Sequence, residues 1–207
     1  IDENLKKLKD LINTHGIDCE IINHDKSEHK EKIAAENNQE TFGNLSSLLK
    51  CFEVAKKDQS DLIYFVEDDY LHYEHSLVDM LNTYERVSSQ HKDEIIVCPS
   101  DYPFNYMNNE KTNILIGSQQ HWRTITKMLC TFMISKKMFQ KHIDNFEKTC
   151  EKRHEPFEKY LNKILESEIG ISPIKSLAIH MTNVNSSYGL SPFIDIKKLW
   201  EENKIDQ

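Results

Sequence analysis

The run Leu62-Ile63-Tyr64-Phe65-Val66 is apolar or aromatic at every position and stops at three consecutive carboxylates, Glu67, Asp68 and Asp69. An unbroken apolar run of this length, with two β-branched residues, predicts a strand buried on both faces and central in a parallel sheet. Charge is costly in a core, so the three acids must sit where the strand leaves it. In open α/β sheets the carboxyl ends of the strands are where ligands bind. Adjacent carboxylates raise one another's pKa unless a cation or a set of donors compensates. Oxygen ligands of this kind suit Mg²⁺ or Mn²⁺, ions that commonly hold substrate phosphates.

The chain has 207 residues, enough for one sizeable core and short for two. Its net charge of −8 argues against a sequence-independent nucleic-acid binder, which needs a basic surface to displace counterions. The five cysteines are scattered, odd in number and never in a Cys-x-x-Cys pair. This pattern does not support a zinc ribbon and predicts free, mostly buried thiols in a reducing, cytoplasmic setting. No apolar run approaches the ~18–20 residues of a membrane span. No signal peptide is visible, and peripheral membrane association stays open. The first residues are Ile1-Asp2-Glu3, without Met, so an N-terminal piece is expected to be missing.

Along the chain, Leu5, Leu8, Leu11 and Ile12 have helical spacing, and Gly16 is placed as a C-cap. Ile17 to Ile22 reads as a strand ending in the polar turn His24-Asp25. Leu45 to Ala55 reads as a helix that Asn44 would cap, and the apolar run of the first paragraph follows it. A helix that leads directly into a strand predicts that a further strand precedes the unit. This alternation predicts a parallel α/β sheet. After the acids, Ser76 is the expected cap of a helix through Tyr84. Glu94 to Cys98 is a buried strand, and Asp101 to Tyr106 an aromatic loop. Asn113 to Gly117 reads as a short strand and Trp122 to Ile134 as one or two. Helices are expected from Ser135 to Phe146, from Glu155 to Ile164 and from Ser191 to Asn203. The last strand, Leu177 to Ile179, ends at His180.

A helix–strand–helix–strand unit ending in Val66-Glu67-Asp68-Asp69 resembles the nucleotide-sugar half of GT-A-fold glycosyltransferases. The Glu-x-Asp form is similar to the Glu-Asp-Asp of medial-Golgi N-acetylglucosaminyltransferases and to the corner of family 2 enzymes. The resemblance implies a GT-A-like α/β fold: a mixed, mainly parallel central sheet flanked by helices, with a Rossmann-like nucleotide-binding half. It implies a single domain over 1–207. Residues 1–100 form the nucleotide-sugar half, and 101–207 the acceptor side with a C-terminal lid and helix. The implied reaction is Mn²⁺- or Mg²⁺-dependent transfer of a sugar from a nucleotide-diphosphate donor, a UDP-sugar by preference. The acceptor is a glycan or a lipid-linked molecule, and the family 2 likeness implies inversion.

By the same resemblance Asp69 is the direct metal ligand, with Glu67 toward the ribose or the metal's waters and Asp68 near the donor sugar. Asp25 matches by position the acid that accepts a hydrogen bond from the nucleobase. Gly43 stands where the family has an Arg before Asn44. His180 matches the late histidine that completes the metal site, followed by an Asn/Ser/Gly-rich run, 181–190, that suits a lid. The catalytic base must be a carboxylate within reach of the acceptor hydroxyl. Glu155, Glu158 and Asp101 qualify; Glu155 is favoured by its place in the acceptor-side half, and Asp101 by following a strand end. Arg123 offers a cation for a phosphate and Trp122 a platform for a sugar face. The spacing of His72 and His75 is three, not the four of a zinc-protease helix. Two other classes compete: a sugar-phosphate nucleotidyltransferase, and a non-catalytic carbohydrate- or protein-binding module.

Overall fold

The computed structural model describes residues 3–33, 36–107, 109–185, 190–192 and 194–204. Helix α1 (Glu3–Thr14) is followed by an extended segment, a 3₁₀ turn at Lys26–His29 and helix α2 (Gln39–Lys57). Then come β1 (Leu62–Phe65), β2 (Tyr70–His72), α3 (Ser76–His91) and β3 (Ile95–Val97). A 3₁₀ turn at Pro103–Tyr106 leads to the hairpin of β4 (Ile114–Ile116) and β5 (His121–Ile125). The chain closes with β6 (Phe132–Ser135), α4 (Lys136–Lys141), α5 (Ile143–Thr149), α6 (Lys159–Ile164), β7 (Ile169–Pro173), β8 (Ala178–His180) and α7 (Ile196–Glu202).

Six strands form one sheet in the order β1-β6-β3-β7-β5-β4, and β2 pairs with β8 in a separate ribbon. The fold is mixed α/β, but the sheet is mostly antiparallel. Only β3 and β7 pair in parallel, and β1–β6, β6–β3, β7–β5 and β5–β4 are all antiparallel. This corrects the expected mainly parallel sheet. β1, β3 and β7 do point the same way, as helical crossovers require. The later strand β6 slots between β1 and β3 and reverses the pairing on both sides. Strands from before and after residue 100 share this one sheet.

β1 is also not central. It is an edge strand, half-buried at Leu62, Ile63 and Tyr64, and Val66 beyond its end is 51% exposed. Residues 17–22 form no strand, and Ile17 and Ile22 are exposed. A strand exists only with a partner, and none runs beside this segment among the described residues. Gly16 does terminate α1, at φ +64°, with the Ile17 N–H donating to the Ile12 carbonyl.

Several helix boundaries differ from the sequence reading; the last two helices begin later than expected, at Lys159 and Ile196. α2 starts at Gln39, and Asn38 is the cap, its side chain accepting from the Thr41 N–H. Asn44 therefore lies inside the helix. Ser76 is the first residue of α3, and its hydroxyl donates to the carbonyls of Tyr73 (2.6 Å) and Leu177. Ser135 caps α4 by accepting from the Met138 N–H, and the helix expected to run on to Phe146 is split between α4 and α5.

The core lies on both sheet faces. On one, Leu45, Leu49 and Phe52 of α2 meet Phe65, Phe132, Phe139 and Phe146, with Phe52 and Phe65 edge-to-face at 5.2 Å. On the other, Met80 and Val87 of α3 cover Ile95, Val97, Trp122 and Met133. Cys98, Cys130 and Cys150 are buried, Cys19 and Cys51 exposed, and all five thiols are free. No described helix is long and apolar enough to cross a membrane.

Candidate functional site

The site is built where β1 ends. The chain leaves the sheet at Val66, turns at Asp68-Asp69 and re-enters extended structure as β2. β2 pairs antiparallel with β8, so Tyr70 lies opposite His180 across 110 residues of sequence. Their rings stack at 4.8 Å with planes 10° apart. The turn brings the Asp69 carboxylate back onto the same histidine: His180 Nε2 lies 2.8 Å from Asp69 Oδ2. Thr182 Oγ1 donates to that oxygen at 3.2 Å, and the Met181 N–H donates to the Asp69 carbonyl at 2.9 Å. The two residues singled out as metal ligands are thus adjacent. The Nδ1 of His180 is buried and has no hydrogen-bond partner among the described residues. Residues 186–189 of the expected lid lie outside the described residues.

Glu67 is half-buried beside them. The buried Thr131 hydroxyl accepts from the Glu67 N–H at 3.0 Å and donates to Glu67 Oε2 at 3.2 Å. Burial pushes the Glu67 carboxyl up to about 7, helped by Asp69 and then by Glu158 and Asp68, against the pull of Thr131. Neighbouring carboxylates thus add to the effect of burial on Glu67. Asp68 is exposed in the turn.

Glu158 is the N-cap residue of α6 and is coupled electrostatically to Glu67 and His180. Burial raises its pKa, His180 opposes the rise and Glu155 adds to it. Glu155 itself is exposed, preceding Pro156 through a cis peptide. Of the neighbouring carboxylates 155 and 158, the later one is electrostatically part of the corner. The sequence reading favours Glu155, and nothing in the local pattern points to Glu158 instead. Thr131 was not singled out; the signal available was a lone hydroxyl in the apolar run Leu129-Cys130-Thr131-Phe132-Met133.

The remaining residues lie elsewhere. Asp101 and Arg123 form a buried ion pair, Arg123 Nη2 lying 3.0 Å from Asp101 Oδ1. The Tyr106 hydroxyl donates to Asp101 Oδ2 and accepts from Arg123, while its ring covers the guanidinium at 4.3 Å. Ser191 donates to the Asp101 carbonyl and, at 3.0 Å, to its Oδ2. Burial pushes the Asp101 carboxyl up, against Tyr106, Arg123 and Ser191. A contact chain links this pair to the corner: Tyr102, next to Asp101, shares a hydrogen bond of 2.8 Å with Tyr70, which stacks on His180. Trp122 is fully buried in the core and presents no face to a sugar. Asp25 is exposed and caps the Lys26–His29 turn. The Ser27 N–H donates to it at 2.9 Å and holds its pKa down. No described hydrogen bond or ion pair joins Asp25 to the corner. His72 shares a hydrogen bond of 2.6 Å with Tyr64.

Among the described residues, no three His, Cys, Asp or Glu side chains are gathered in metal-binding geometry. The corner brings together Asp69 and His180, side chains of the types that ligate metals, with the Glu67 carboxylate beside them. A groove along α3, lined by Leu81, Tyr84, Glu85, Lys92 and Glu94, lies at the opposite ends of β1 and β3 and shares no residue with the corner. Compared with protein-family models and with curated proteins, the chain matches none.

Proposed function

We propose that the protein transfers a sugar from a nucleoside-diphosphate donor to an acceptor hydroxyl, with a divalent cation held at Asp69 and His180. The observation that carries this reading is the Asp69–His180 pair at 2.8 Å beside two carboxylates whose pKa values are raised. Such a corner suits Mn²⁺ or Mg²⁺, which commonly takes only one or two protein carboxylates, completing its shell with waters and substrate phosphates. A two-residue site is therefore a sufficient protein contribution. When bound, the cation stabilises the charge left on the departing diphosphate.

The chain's own residues divide the remaining work. Thr131 holds Glu67 in place by two hydrogen bonds. Tyr70 fixes the plane of the His180 ring, and Thr182 orients Asp69. Glu158 is the carboxylate we assign as general base. As the bond between the acceptor oxygen and the sugar's anomeric carbon forms, it takes the acceptor's proton, and the bond to the diphosphate oxygen breaks. A raised pKa suits that role, because a base is most effective when its pKa approaches the working pH. A single displacement of this kind inverts the anomeric centre. Asp101 and Arg123 are ion-paired with one another, so we give them the supporting role of holding the Tyr102 loop and the Ser191 segment against the corner.

The deciding experiment is a thermal-shift panel of nucleoside mono-, di- and triphosphates, each with and without Mn²⁺. The expected result is stabilisation by a diphosphate, UDP by preference, only when Mn²⁺ is present, and its loss in Asp69→Asn. Absence of any Mn²⁺-dependent nucleotide effect sinks the proposal and leaves the binding-module reading. Preference for triphosphates moves the assignment to nucleotidyl transfer.

A further inference from the structure

β4 is the last strand of the six-stranded sheet, and no described strand lies against its outer edge. The phase of its hydrogen bonds follows from the hairpin. The Gly117 N–H donates to the Gln120 carbonyl at 2.9 Å, and the Thr124 N–H donates to the Asn113 carbonyl at 3.0 Å. In an antiparallel ladder, bonded and non-bonded positions alternate. Residues 113, 115 and 117 therefore turn their backbone groups inward to β5. Ile114 and Ile116 turn theirs outward, to the open edge.

The same two residues carry the exposed side chains: Ile114 is 57% and Ile116 62% exposed, and being two apart they lie on one face. Tyr106, itself 54% exposed, extends that face, because its ring lies over Arg123, the register partner of Ile114. Natural sheets blunt open edges with charges, prolines or bulges. The stretch Thr112-Asn113-Ile114-Leu115-Ile116-Gly117-Ser118 contains no charge and no proline. The other open edge, β1, runs into Glu67-Asp68-Asp69, whereas the charges nearest β4, Glu110 and Lys111, lie before this stretch.

We propose that β4 is a docking edge for β4 of a second copy of this chain, giving a two-fold dimer with a continuous sheet. The strand is self-complementary in the antiparallel register centred on Leu115 against Leu115 of the second copy, which pairs both exposed isoleucines. There Ile114 meets Ile116 of the second copy, and Ile116 meets its Ile114. Both pairs fall at outward-bonding positions, so each exchanges an N–H and a carbonyl in both directions, about four hydrogen bonds in all. The isoleucines of the two copies then form one apolar cluster on one face. The register opposes no like charges: Lys111 falls opposite Gln119, and Glu110 opposite Gln120. An edge this short buries less than the roughly 1,200–2,000 Å² of tight complexes, so association is weak and dependent on concentration.

The test is sedimentation and amide hydrogen exchange on the wild-type chain from about 1 μM to about 1 mM, a range that spans weak association. The expected result is a monomer–dimer equilibrium, with the Ile114 and Ile116 amides gaining protection as concentration rises. Ile114→Lys and Ile116→Lys place charge on exposed positions and are expected to be monomeric throughout, with melting temperatures close to wild type. The proposal is overturned if the wild type stays monomeric with both amides exchanging fast at every concentration. It is equally overturned if a dimer forms without protecting them, or persists unchanged in the lysine variants. Should either variant fail to fold, the wild-type exchange data decide the question alone.

Discussion

At the scale of single residues, the division of labour in the acidic corner makes distinct predictions. Glu158→Gln is expected to lower transfer by about 10²–10⁴-fold while Mn²⁺-dependent nucleotide stabilisation is kept, the pattern of a lost general base. Glu155→Gln is expected to change transfer little; equal losses in both variants would remove the distinction drawn between them. Outside the corner, Glu168 receives Lys141 Nζ at 2.7 Å and His142 Nε2 at 2.6 Å on one oxygen, with its side chain 5% exposed. Burial pushes its pKa up, but the hydrogen bonds and charges of Lys141 and His142 outweigh it and hold the carboxyl below its usual range. A depressed acid stabilises the fold above its unfolded pKa, and that contribution disappears as pH falls through the folded value. Glu168→Gln should therefore cost about 1–3 kcal/mol at pH 7 in urea titrations, and the gap should close below about pH 4. Asp69 and His180 were legible in the sequence as separate strand-end residues. That they touch depends on the β2–β8 pairing, and nothing local in either segment specifies its partner.

At the scale of elements, burial was more legible than neighbourhood. Five apolar residues before Glu67 correctly announced a strand, but apolarity does not reveal which strands stand beside it, and β1 proved to be an edge. Residues 17–22 have the composition of a strand and form none, because pairing is a property of two segments. Ser135 was legible as a helix start because a cap is local chemistry, a hydroxyl accepting from an N–H three residues on. The β4–β5 hairpin shows how tightly local geometry can be constrained. A Cβ added at Gly117 would lie 2.2 Å from Trp122 Cδ1 and 2.9 Å from the Gln120 carbonyl oxygen. Trp122 is fully buried and cannot retreat. Gly117→Ala is therefore expected to destabilise the protein by about 1–3 kcal/mol in thermal or urea unfolding.

At the scale of the whole molecule, stability is concentrated after residue 32. Between residues 3 and 28 no described side chain is buried, and both sides of the sheet are packed by residues from Ile33 onward. Deleting residues 1–16 should thus leave the melting temperature within a few degrees of wild type, whereas Phe146→Ala, at the meeting point of the phenylalanine cluster, should cost about 3–5 kcal/mol. A large fall in the melting temperature of the deletion variant would show that α1 contributes packing its exposed surface does not suggest. The ribbon of β2 and β8 has a further consequence, in the order in which the protein is made. Synthesis proceeds from the N-terminus, and Tyr70 is translated 110 residues before the histidine it faces. For that interval the growing chain carries its three acids without His180. A ribosome-bound chain halted before His180 can bury much of its core yet cannot close the corner, which is completed only when β8 has been made.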